Sequence, residues 1–214
     1  MGLKKPLIEK ISSVLTDHFN RLDRLKMLEF GDQVVRPDNG YFETTGKDLW
    51  TNRGFKHTSI DVNGKNGSLV KDLTELDEFT EWKDYFDVVY NAGTTEHVEP
   101  YQSQYTAFQI ADMCCKPGGI MIHAVPSIEK FKLWSRHCHY YYSKEFFKTL
   151  AEKNNYELIS LELTRTWFCA YHKTDSSQWL ISPEDLLKGI HIRNEDLNFD
   201  DPNYEHQKKS FERN

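Results

Sequence analysis

The chain lacks any long apolar run: no stretch of its 214 residues approaches the roughly 18 consecutive apolar side chains of a membrane-spanning helix. Behind Met1-Gly2-Leu3-Lys4-Lys5-Pro6 there is charge but no apolar segment of signal-peptide type, so a soluble, unprocessed, cytoplasmic protein is expected. Cysteine is scarce. Cys114, Cys115, Cys138 and Cys169 show no repeated CxxC spacing, and a chain this long builds a core without staples, so reduced thiols are expected. His137-Cys138-His139 invites a metal, yet side chains adjacent in sequence point apart and no second ligand cluster is obvious, so none is assigned. Excess positive charge is missing too: the formal charge is -6 with both signs interspersed, which disfavours a phosphate backbone as partner.

The length suits one α/β domain. From Leu7 to Leu25, Ile8, Ile11, Val14, Leu15, Phe19, Leu22 and Leu25 recur at helical spacing, predicting an amphipathic helical cap over residues 1–25. Lys26 to Phe30, closed by Gly31, has the look of a buried parallel strand. His57 to Val62 is a second strand, Gly67 to Asp72 a weaker third, and Tyr85 to Asn91 the clearest of all. Between the first two, only Lys47 to Arg53 suggests a helix. The loop Ala92-Gly93-Thr94-Thr95 leads to a helix around Gln102 to Cys115, and Lys116-Pro117-Gly118-Gly119 turns the chain into a fifth strand, Ile120 to Val125. Ser143 caps a helix over Glu145 to Lys153. Tyr156 to Leu163 and Thr166 to His172 lie so close in sequence that only an antiparallel hairpin fits.

Alternating strands and helices predict an α/β fold: a doubly wound, mostly parallel, seven-stranded sheet with a terminal antiparallel hairpin, over residues 26–174. Residues 175–214 would add a short helix capped at Ser182 and a polar tail, Asn194 to Asn214.

In open α/β sheets, ligands sit beyond the carboxyl ends of the strands, and polar residues or glycine fall there in this chain. Gly31 would let backbone approach a ligand. Asp61 is placed to accept hydrogen bonds from both hydroxyls of a ribose. Asp72 could accept from an adenine amino group or simply cap its loop, and Asn91-Ala92-Gly93-Thr94 would lie against the same ligand. Glu29, at the end of a buried strand, needs a partner, either a ligand ammonium or neighbouring backbone amides.

The series Leu28-Glu29-Phe30-Gly31, Ile60-Asp61-Val62, Phe86-Asp87-Val88-Val89, Glu96-His97-Val98 and Lys116-Pro117-Gly118-Gly119 resembles class I S-adenosylmethionine-dependent methyltransferases, most nearly the small-molecule (type 11-like) branch, over about residues 26 to 172. The resemblance implies S-adenosylmethionine as cofactor, a small-molecule or sugar-like acceptor, and His97 as general base. One departure is plain: Gly31-Asp32-Gln33-Val34-Val35 keeps only the first glycine of the family's loop. Gln33 is expected to meet the methionine end instead. The alternative is a catalytically inactive, methyltransferase-like binding module. Some quinone-pathway relatives pair such a Glu-His with an acidic residue one turn earlier to hold a metal; Ala92 stands in that position here. A nicotinamide-dependent enzyme is disfavoured because no GxGxxG follows the first strand, and DNA amino-group methylation because Asn91-Ala92-Gly93-Thr94 is not the family's Pro-Pro-aromatic loop. His139 and Tyr140 to Tyr142 could edge an acceptor pocket. The residues that choose the acceptor lie in variable segments, so its identity and the oligomeric state stay open.

Overall fold

The computed structural model describes residues 2–36, 40–134 and 137–193; the expected polar tail from Asn194 onward lies outside them. The strands are β1 (Lys26–Phe30), β2 (Lys56–Ile60), β3 (Phe86–Asn91), β4 (Cys115–Val125), β5 (Tyr140–Tyr142), β6 (Glu157–Leu163), β7 (Trp167–His172) and β8 (Ile190–Ile192). The helices are α1 (Lys5–His18), α2 (Gly46–Asn52), α3 (Ser103–Cys114), α4 (Lys144–Asn154) and α5 (Pro183–Leu187). Among the described residues no helix is long and apolar enough to cross a membrane.

Six strands form the central sheet in the order β2-β1-β3-β4-β7-β6, while β5 and β8 make a separate antiparallel pair. β1 to β4 run parallel, and β7 joins β4 and β6 antiparallel. The expected hairpin is therefore present, but the seventh strand is not. Residues 67–72 reach the sheet only through one bridge, Leu69 to Ile60. The cause is local: Gly64, Asn66 and Gly67 have φ of 61°, 49° and 77°, and these left-handed turns curl the segment away from extended geometry. The first helix likewise stops at His18 instead of running to Leu25, and Arg24 at φ 71° helps turn the chain into β1.

Alternation along the strands sorts side chains onto the two faces of the sheet. Met27, Val88, Ile120, Ile122 and Phe168 pack on one side with Ile8, Ile11 and Leu15 of α1 and Leu49 and Trp50 of α2. Leu28, Val89, Met121, Val125 and Cys169 face the other side, beneath α3, α4 and α5. Ser143 accepts a hydrogen bond from the Phe146 amide at 3.1 Å, which fixes the start of α4 and turns Phe146 and Phe147 into that second layer. Tyr140, Tyr141 and Tyr142 are almost wholly buried, so they belong to the packing, and none of them lines either of the two cavities described below. All four cysteines are buried free thiols.

One buried group makes stability depend on pH. His123 on β4 packs against Phe108 at 5.0 Å between ring centroids, and its Nδ1 has no hydrogen-bond partner. Burial pushes its pKa down to about 3, whereas an unfolded histidine titrates near about 6.5. Below that value the unfolded chain binds the extra proton, so stability is complete above about pH 7.5 and is lost as pH falls. The expected loss is about 2 kcal/mol at pH 5. Urea titrations of the wild type and His123→Leu at both pH values check it: the variant should lose correspondingly less stability across this window.

Candidate active site

The strand order reverses between β1 and β3, and a cavity of about 880 Å³ opens at the carboxyl ends of β1, β2 and β3. That is where ligands bind in doubly wound sheets, and the size falls within the roughly 300–1,000 Å³ of small-molecule sites. Gly31 begins the cavity. Its N–H donates to the Ile60 carbonyl at 2.8 Å and its φ is 85°. A Cβ there would stand 2.4 Å from Thr94 Oγ1 and 2.9 Å from Gln33 Nε2. Only glycine fits without moving the β3 loop.

Of the residues singled out from sequence, Gly31, Gln33, Asp61, Asp72, Gly93 and His97 line this cavity together. Asp61 accepts from the amides of Asp32 (3.0 Å) and Asn63 (2.9 Å). Each carboxylate oxygen has a second lone pair, so these bonds orient the group without exhausting it. Asp72 accepts from the Thr74 amide at 2.9 Å, the loop-capping arrangement. Gln33 is 4 % exposed and its Oε1 has no partner, while its Nε2 lies 3.4 Å from Thr94 Oγ1. A buried amide oxygen without a donor calls for one from a ligand or water. The Asp32 carboxylate, a potential source of repulsion, accepts from Asn66 Nδ2 at 2.6 Å.

Three residues stand elsewhere. Glu29 is 1 % exposed and lies outside the lining; it accepts from the Gln33 amide at 2.9 Å, with His57 Nε2 at 3.3 Å from its other oxygen. The partners it needs come from the chain, and the cofactor contact expected for it is withdrawn. Burial raises its pKa despite those bonds. Asn91 is also buried and points away from the cavity: its Oδ1 accepts from the amides of Thr94 (3.1 Å) and Thr95 (3.3 Å), so it shapes the loop. Ala92 packs into the core beside β1 and β4. Both are corrections to the expected lining. Thr94, expected with its loop to lie against the ligand, lines the cavity as well, whereas sequence reasoning missed Val62, Lys71, Leu73, Thr74, Val98 and Glu99. Val62 and Val98 lay within quoted segments. Lys71 carries no signal at all, since its place depends on the turn at 64–67.

Beyond Thr94 the chain enters a 3-10 turn, Thr95–His97, held by a buried network. Asn91 Nδ2 and Tyr142 Oη each donate to Thr95 Oγ1 (2.7 and 2.9 Å), and Gln104 Nε2 donates to the Thr95 and Val98 carbonyls at 2.7 Å each. His97 is thereby set at the cavity edge with its Nε2 3.4 Å from His137 Nε2. Burial, with His137 beside it, lowers the His97 pKa and keeps the ring neutral. Glu96 is fully buried and neither of its oxygens has a hydrogen-bond partner; burial raises its pKa to about 7. In the His137-Cys138-His139 run the three side chains do point apart. His137 meets His97, Cys138 is buried, and His139 pairs with Glu99 at 3.0 Å.

No family model and no curated protein sequence matches the chain. Solved structures do resemble it. The PH0226 protein of Pyrococcus horikoshii OT3 aligns with a TM-score of 0.54 and 17% identity, covering 78% of this chain and 89% of that one. The 1,6-didemethyltoxoflavin-N1-methyltransferase of Burkholderia thailandensis, solved with 1,6-didemethyltoxoflavin and S-adenosylhomocysteine bound, aligns at 0.52 and 14% identity, covering 78% of this chain and 77% of that one. The chain thus has a Rossmann-like methyltransferase fold.

Proposed function

We propose that the chain binds S-adenosylmethionine in the cavity at the ends of β1, β2 and β3 and is a methyltransferase acting on a small molecule. The carrying observation is the convergence on one cavity of Gly31 at φ 85°, the oriented Asp61 carboxylate and the unpartnered Oε1 of Gln33. These fit the cofactor by chemistry. Asp61 offers acceptors for the ribose hydroxyls, and Gln33 Oε1 an acceptor for the ammonium of the methionine end. Val62 and Leu73 supply apolar surface for an adenine, with Asp72 beside them. That a structural neighbour was solved with S-adenosylhomocysteine supports the same reading.

When bound, the cofactor supplies a sulfonium methyl group, which the acceptor's lone pair takes as the carbon–sulfur bond breaks and its electrons stay on sulfur. The protein's part is to position the partners and keep water out. His97 stands at the cavity edge; burial makes its neutral ring a weak base, so the role assigned to it is to receive the acceptor's proton once methyl transfer has made that proton acidic, with no metal on its Nε2. The Thr95 network holds it there.

Calorimetry with S-adenosylhomocysteine tests the binding step. Wild type should bind, and Asp61→Ala should bind more weakly by about 1–3 kcal/mol, the range for losing a charged hydrogen-bond partner. Equal affinities would place the ribose elsewhere. Absence of binding by the wild type would remove the cofactor reading.

A further inference from the structure

Beside the cavity, metal-ligating atoms of three side chains from two segments come together. Glu96 and His97 come from the 3-10 turn after β3, and His137 from the segment before β5; the His139 amide ties the segments together by donating to the Glu96 carbonyl at 3.2 Å. One ligand atom from each of Glu96, His97 and His137 lies within 4.8 Å of the others. The two Nε2 atoms are 3.4 Å apart, and Glu96 Oε1 is 4.0 Å from that of His97. Two ligand atoms each about 2.0–2.1 Å from one tetrahedral ion would stand about 3.4 Å apart, so the spacing of the histidine nitrogens already suits an ion, while Glu96 would have to draw closer by about half an ångström.

Glu96 supplies the independent reason to expect a cation. It is fully buried, and both its oxygens lack any hydrogen-bond donor. A carboxylate in that position must be neutralised by a proton or by a positive charge beside it. No lysine or arginine among the described residues forms an ion pair with it.

We propose that Glu96, His97 and His137 form a binding site for a divalent transition-metal ion of zinc type, with the fourth coordination position open. The donor set, two imidazoles and one carboxylate, is that of open zinc sites and is too nitrogen-rich for calcium or magnesium. His97 borders the larger cavity. His137 borders a second one of about 370 Å³, lined by Lys4, Lys10, Arg36, Arg165, Trp134 and Phe168 among others. The ion would therefore lie between the two, within reach of an oxygen of an anionic molecule held by the basic cavity. That last placement rests on the methyltransferase reading, but binding of the ion does not.

The experiment uses the full chain stripped with a chelator and then titrated with zinc chloride in a calorimeter, with cobalt(II) as a spectroscopic probe. Wild type should take up one zinc ion, melt at higher temperature with it, and show the intense visible bands of tetrahedral cobalt. Glu96→Gln and His137→Ala should each weaken binding by about 100-fold or more, beyond the roughly 10–100-fold effect of residues behind a metal's ligands. Both keep side-chain volume or alter a partly exposed position. If Glu96→Gln fails to fold, His137→Ala decides alone. Absent zinc uptake by the wild type, or wild-type affinity in the folded variants, overturns the site. Titrating the stripped protein with S-adenosylhomocysteine separates this from the cofactor reading, since either ligand can bind where the other fails.

Discussion

Replacing Lys173 with methionine should destabilise the protein by about 3–5 kcal/mol, the cost of breaking a buried ionic cluster by removing one partner. Lys173 is 6 % exposed at the end of β7. Its ammonium donates to the carbonyls of Asp112 (2.7 Å) and Cys115 (2.9 Å) and lies 3.4 Å from carboxylate oxygens of Asp84 and Asp112. Methionine keeps the length but provides no donor, leaving Asp112, itself bonded to Tyr156 Oη at 2.7 Å, without its cation. In a chain of this size each kcal/mol shifts the melting temperature by about 2–4 °C, so calorimetric melting should show a fall on the order of 10 °C. A change within 2 °C or so would mean that the cluster's desolvation cost cancels its attraction.

That cluster joins the C-terminal end of α3, the start of β4 and the end of β7, and nothing in the sequence announces it. What was legible there was the periodicity: β1, β3, β6 and β7 fall where alternation and apolar runs put them, because a strand buried on one or both faces must repeat that way. The seventh strand was misread for a different reason. Leu69 and Val70 are β-branched or aliphatic and suit a strand, but positive φ at Gly64, Asn66 and Gly67 overrides that preference, and Val70 ends exposed. Glycine's freedom is visible in a sequence; whether it is used is not.

The site divides along the same line. Gly31, Asp61, Asp72, Gly93 and His97 could be found because strand ends in a doubly wound sheet are predictable places. Glu29 and Asn91 occupy such ends too, yet their side chains turn inward to satisfy backbone amides. Direction at a strand end depends on the loop that follows, which residue order alone does not reveal. The meeting of His137 with Glu96 and His97 joins segments 40 residues apart and needs the β5 segment to fold back over the 3-10 turn. The His-Cys-His run was a signal without a partner until that fold was known.

Gly31→Ala should reduce S-adenosylhomocysteine binding by about 100-fold or more, provided the larger cavity is the cofactor site. Two penalties meet at this position. Alanine at φ 85° is strained by about 1–2 kcal/mol, and its Cβ would press on Thr94 Oγ1 at 2.4 Å and Gln33 Nε2 at 2.9 Å. Thr94 Oγ1 donates to the Phe30 carbonyl at 2.7 Å, so it cannot yield without releasing the β3 loop, and Gln33 carries the acceptor assigned to the methionine end. Strain alone can be isolated. Gly118, in the irregular stretch of β4 between its pairs at Cys115 and Ile120, has φ 79° but nothing within 4 Å of an added Cβ, and it lies outside the cavity. Gly118→Ala should therefore lose similar stability from strain while keeping wild-type affinity, so the difference between the variants measures crowding at the site. Calorimetric titration of both, alongside their melting curves, makes the comparison. Should Gly31→Ala bind as Gly118→Ala does, the ligand does not approach β1, and the cavity's glycine serves only the turn.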